Sequence, residues 1–210
     1  MICNRAVGYL LEGGTLLRVE LAELATFDTE LDVIAASHLE PVYGSVLHEV
    51  ASLLQGAIDQ QNGNLPRALL GDALAIANSA WNVCAHNEQP LPDTSDNWVG
   101  VAINRTSGHL MDFYFDALRF VWQTRDQEQQ LIQSIPEALR EMIEGDSPAS
   151  EIARVLVPAN ALMLAAMAPD WYEAHVLPLL SATAFPRSSE QSWDGYLFWG
   201  DGHKKCCQLC

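Results

Sequence analysis

Residues 101–122 read VAINRTSGHLMDFYFDALRFVW, a polar turn running into a heavily apolar segment. Leu110, Phe113, Tyr114, Ala117, Leu118 and Val121 recur at the spacing of one helical face. Met111, Phe115, Leu118 and Trp122 form a second face beside it, leaving Asp112, Asp116, Arg119 and Gln123 as a polar edge. A helix with two apolar stripes needs neighbours on two sides, so this stretch predicts a central helix in an all-α fold. Ser107 is the expected N-cap, and Asp112 suits the positive end of the helix dipole. A buried helix start leaves N–H groups unbonded, and Asn104, Thr106 and Ser107 are placed to satisfy them.

The same periodicity extends in both directions. Leu47, Val50, Ala51, Leu54 and Ile58 make one stripe, which is expected to stop near Gly63. Pro66 opens a second helix carrying Leu70, Ala73, Leu74, Ala77, Trp81 and Cys84, followed by the loop NEQPLPDTSDN. Ser147-Pro148 begins another; from 155 to 167 its only polar side chain is Asn160, so it should be central and bent at Pro158. Pro169 opens DWYEAHVLPLL, and Ser188-Ser189-Glu190-Gln191 offers a capping box before Trp193, Tyr196 and Leu197. Residues 1–30 and 126–146 give no clear element. The pattern predicts an irregular α-solenoid or multi-helix array of packed helix pairs, one domain over 1–200, possessing no fixed repeat.

Composition narrows the partners. The chain has 210 residues and a formal charge of −16, which repels nucleic-acid backbones and anionic membranes. A protein partner, a second copy, or the remainder of a larger chain is the expectation. The apolar run 6–11 is interrupted by Gly8 and ends at Glu12-Gly13-Gly14, unlike a secretory signal. Five cysteines in no framework spacing fit a reducing compartment, and a cytoplasmic location is expected. The tail 201–210 stands apart: it holds the two lysines, Lys204 and Lys205, and three of the cysteines. It is expected to be disordered or non-native, a truncation or frame-shift product.

Catalytic signatures are near misses. His48-Glu49 begins like a metalloprotease helix, but Ser52 stands where the second histidine is needed. His203, Cys206, Cys207 and Cys210 offer four N/S ligands for zinc, in one compact cluster rather than in segments that a metal would pin together. His38, Glu40, His48 and Glu49 lie within a dozen residues and supply the foothold for a hydrolase-type alternative. His109 and Asp112, three apart, read as a helix-face contact. No cofactor is implied. Of six tryptophans, Trp193 and Trp199 are the candidate interface anchors, lying at the end of the array.

Two stretches, WVGVAINRTSGHLMDFYFDALRFVW and APDWYEAHVLPLLSATAFPRSSEQSWDGYLFWG, resemble an uncharacterised helical domain at the C-terminal end of large bacterial sirtuin-like proteins associated with anti-phage defence. The resemblance covers about residues 98–200 and rests on Asn104, Gly108, Asp170, Trp171 and Trp193 as motif positions. Arg105-Thr106 replaces a His-Pro pair, and His109 replaces a lysine. The resemblance implies that NAD chemistry belongs to a separate N-terminal part, with sensing, regulation or assembly left to the helical part. The expectation is therefore a non-enzymatic scaffold or regulatory module, with a truncated product lacking independent function as a further alternative.

Overall fold

A computed structural model of the chain describes residues 40–58, 65–93, 95, 97–123, 129–181 and 186–198. Among them every regular element is helical and none is a strand, as the periodicity predicts. Nine α-helices follow in order: α1 (Glu40–Ile58), α2 (Leu70–Asn87), α3 (Trp98–Ile103), α4 (Thr106–Trp122), α5 (Gln129–Glu144), α6 (Pro148–Ala159), α7 (Ala161–Met167), the single turn α8 (Pro169–Trp171) and α9 (Pro186–Phe198). A 3-10 turn, Arg67–Leu69, leads into α2, so Pro66 opens that segment one turn ahead of the α-helix proper. Between α8 and α9 the chain makes a wide π turn, Tyr172–Val176, and a 3-10 turn, Leu177–Leu180.

Two helices sit at the centre. The double-striped α4 touches α1, α2, α3, α5 and α6. Leu110, Met111, Phe113, Tyr114, Phe115 and Leu118 are all fully buried. At roughly 1.5–3 kcal/mol for each large apolar side chain removed from water, this one helix supplies much of the drive to fold. The other centre, α6, meets α9 most extensively and also reaches α2, α3, α4 and α5. In a solenoid each layer touches only its neighbours. Here α2 reaches α6 and α3 reaches α9, so the architecture is the multi-helix array, with one contiguous core from Leu47 to Leu179.

The bend expected near Pro158 is present. α6 and α7 meet at 72°, and Asn160 sits at the corner. Its side-chain amide donates to Leu156 O at 3.1 Å, while its oxygen accepts from Arg119 of α4 at 3.0 Å. Pro158 has no N–H, so the carbonyl of Arg154, four residues back, lacks its helical donor. Ser192 of α9 supplies the missing bond, its hydroxyl donating at 2.9 Å. Ser192 and Gly195 lie on the face of α9 that meets α6, where small side chains let two backbones approach. A Cβ on Gly195 would stand 2.0 Å from Val155 O.

Several local expectations are corrected. α9 begins at Pro186, ahead of the proposed capping box, and Ser189 and Gln191 are buried against the fold. α4 begins at Thr106, so Ser107 lies inside the first turn and Asp112 in the second. An element also appears where none was assigned: α5, with Leu131, Ile132, Ile135, Leu139, Met142 and Ile143 on its inner side. Pro136 within it reads as a breaker in isolation, yet is accommodated as a buried residue of the helix. Among the described residues no single helix is long and apolar enough to cross a membrane. The bent pair α6–α7 has the composition, but Ile152, Val155, Leu156, Val157 and Leu164 are buried inside the protein.

Candidate functional site

The polar turn ahead of α4 is organised by a residue outside it. Glu88, the residue following α2, accepts from the Ser107 N–H at 3.2 Å and the Ser107 hydroxyl at 3.0 Å. It also accepts from the Cys84 thiol at 3.3 Å and lies 3.8 Å from the Arg105 guanidinium. A carboxylate at the start of a helix meets free N–H groups and the positive end of the dipole. Asn104 closes the preceding helix instead, donating to Gly100 O at 2.6 Å. Gly108 is there for contact, since a Cβ would stand 2.0 Å from Ala102 O. Burial, then the Glu88 charge, push the Cys84 thiol far above its ordinary range, so this cysteine is an inert core group.

Two more acids tie the neighbouring segment down. Glu151 of α6 accepts from Leu91 N at 3.2 Å, and Asp194 of α9 accepts from Val99 N at 3.2 Å, near the start of α3. Part of the acidity of this chain therefore serves internal capping.

The polar edge of α4 faces α1, and there the titratable groups gather. His48 of α1 and His109 of α4 stand edge to face, ring centres 4.8 Å apart. His109 Nδ1 lies 2.6 Å from Gln55 Oε1, and Gln55 Nε2 donates to Asp112 at 3.1 Å. With the Gln55 amide set by that second bond, His109 Nδ1 carries the proton and its Nε2 keeps a lone pair. Thr106 Oγ1 is 3.5 Å from His48 Nδ1. The row continues through Asp116, paired with Arg119 at 2.6 Å. Chemically it is a relay in which one imidazole can exchange a proton while a carboxylate holds the bridging amide.

Two members of the row are perturbed. Burial, then the Asp116 charge, push the Asp112 carboxyl up to about 6, against the lowering effects of Arg119 and Gln55. Burial, then the His48 charge, lower His109. Because the folded form of Asp112 holds its proton more tightly than the unfolded chain, its ionisation destabilises the protein as pH rises from about 4 through about 6. Asp112→Asn is therefore expected to raise stability at pH 7 by about 2 kcal/mol. The gain should nearly vanish at pH 4. Urea denaturation at both pH values checks it, and an equal gain at the two would show that ionisation is not the cause.

Of the candidate cluster His38, Glu40, His48 and Glu49, the structure does not bring the described members together. His48 turns inward to α4, whereas Glu49 is exposed. Glu40 opens α1, its side chain outside the described residues, as is all of His38. Trp199, His203, Cys206, Cys207 and Cys210 also lie outside them. Among the described residues no group of three or more histidines, cysteines or acids is placed to hold a metal. Asp170 is exposed in the α8 turn, and Trp171 is half-buried with His175 beside it, ring centres 5.2 Å apart.

Trp193 lies on the outer face of α9, 43% exposed, with Leu197 one turn on at 61%. Phe198 and, in the preceding 3-10 turn, Leu177 are exposed as well. The Trp193 ring is held in place: its Nε1 donates to Leu180 O at 3.0 Å, and Tyr196 meets it edge to face at 5.5 Å.

No family model matches this chain, and no curated protein or solved structure is significantly similar to it.

The site thus has two parts with different prospects, an inward relay between α1 and α4 and an outward aromatic face on α9. Neither Glu88 nor Gln55 stood out in the sequence. Glu88 sits among solvated loop residues, and its partner Ser107 is 19 positions on. Trp193 is exposed, and its pinning by the Leu180 carbonyl has no local signal in the sequence.

Proposed function

We propose that this chain is a non-enzymatic helical module that binds a partner protein through the outer face of α9, in the cytoplasm. The observation that carries the reading is the exposed but conformationally fixed Trp193 with Leu197 beside it. A tryptophan whose rotamer is already held loses little entropy on burial, which is how interface anchors gain their energy. Exposed Glu190 lies one turn before Trp193 on the same helix, and the whole chain is strongly acidic. The partner that suits this face is a protein segment with apolar anchors and a basic rim. The resemblance of residues 98–200 to the helical part of sirtuin-like defence proteins points the same way, to assembly rather than chemistry.

The test compares the full chain with Trp193→Gln/Leu197→Gln, which keeps helix-forming side chains at exposed positions. Proteins retained by the wild type are identified, purified and titrated against both forms, with sedimentation velocity reporting self-association. The proposal expects at least a tenfold loss of affinity with unchanged circular dichroism. Equal affinity of the two forms, or no partner and no self-association at all, overturns it.

A further inference from the structure

The seam between α1 and α4 does something the exposed face of α9 does not require. It packs two imidazoles against each other, 4.8 Å apart, in one of the two most extensive helix contacts of the fold. Hydrophobic seams of this kind need no histidine, and a pair of them in contact places two protonatable rings at one spot. We propose that this seam is a proton-operated latch: uptake of protons by His48 and His109 loosens α1 from α4, while the core around α6 stays closed.

The charges around the pair give the direction. From α4, Arg105 stands at one end of the row and Arg119 at the other, with Asp112 and Asp116 between. From α1 come His48 and Gln55, while Glu49 is exposed. α2, packed against both helices, contributes Cys84 with Glu88 just beyond its end, and Glu88 is already committed to Ser107 and Arg105; Asp72 is exposed. Asp116 is likewise taken by Arg119. Among the described residues no uncommitted carboxylate therefore touches the imidazole pair, and Asp112 is linked to it through Gln55.

Protonating both rings sets like charges in contact. Burial first, and then repulsion from His48, lower the proton affinity of His109. A histidine that binds protons less well in the closed state than in the open one favours opening as pH falls below about 6.5. Asp112 acts in the opposite sense below about 6, because burial disfavours its ionised form. Opening is consequently expected in mild acid and confined to the seam. The inference is independent of partner binding at α9.

Hydrogen–deuterium exchange of the full chain, corrected for intrinsic rates, reads this directly. Between pH 7.5 and 5.5, peptides covering 47–58 should lose protection about tenfold relative to peptides of α6. His109→Gln removes the buried imidazole and should keep α1 protected at pH 5.5, whereas His48→Gln removes only the like charge and should keep part of the protection. Unchanged protection of α1 in the wild type overturns the proposal. So does an equal loss in the variants, or a loss shared by α6, which would be general acid unfolding. Should a variant fail to fold, the imidazole and α1 amide resonances of the wild type are followed by NMR. A common midpoint supports the latch, and separate midpoints overturn it.

Discussion

Gly195→Ala should lower the stability of the protein by about 3 kcal/mol or more, measured by urea or thermal denaturation. The added methyl would stand 2.0 Å from Val155 O, with the Ala159 nitrogen at 3.4 Å. Both atoms are backbone of α6, so no rotamer change relieves the overlap. Either α9 moves away from α6 or α6 distorts. Moving α9 away also pulls the Ser192 hydroxyl from Arg154 O, which Pro158 has left without a helical donor. The informative control is Gly56→Ala. Gly56 is exposed in α1 with open space where its Cβ would lie, so the change should stabilise by about 0.5–1 kcal/mol through helix propensity alone. If both substitutions had similar effects, the close crossing of α6 and α9 would be wrong.

Glu88→Ala is expected to cost about 2–4 kcal/mol. The change removes the acceptor shared by the Ser107 N–H, the Ser107 hydroxyl and the Cys84 thiol, and it leaves Arg105 without its partner. Ser107 and Cys84 are buried, so water cannot readily replace the carboxylate. Glu88→Gln keeps one acceptor oxygen in place, and roughly half the loss is expected. The ordering wild type, Gln, Ala in denaturation midpoint checks the account. An alanine variant as stable as the wild type would mean that the start of α4 is capped by other means. Both substitutions act at joints between helices, and neither touches the large apolar side chains that fill the core.

Residues 101–122 determined the centre of this fold by themselves. Two adjacent apolar stripes admit no arrangement except burial on two sides, because one face of a helix cannot hide both. Pro158 likewise announced the α6–α7 corner, since a missing N–H is a local fact. The helix α5 was legible in principle from the spacing of its apolar residues, although it holds Pro136. A proline is judged by what it does to an isolated helix, whereas here tertiary burial outweighs the lost bond.

What local pattern could not reveal was pairing. Gly56 and Gly195 both lie within helices, yet only the crossing of α6 and α9 makes the second indispensable. Ser107 looked like a cap and is instead capped, by a carboxylate 19 residues earlier. His48 and His109 were read with their chain neighbours, while their decisive contact is with each other across 61 positions. Helical periodicity follows from backbone geometry and is written along the chain, so the sequence determined where the helices lie. Which polar atom meets which depends on helices packing in three dimensions at van der Waals distance, and that was decided only by the tertiary structure.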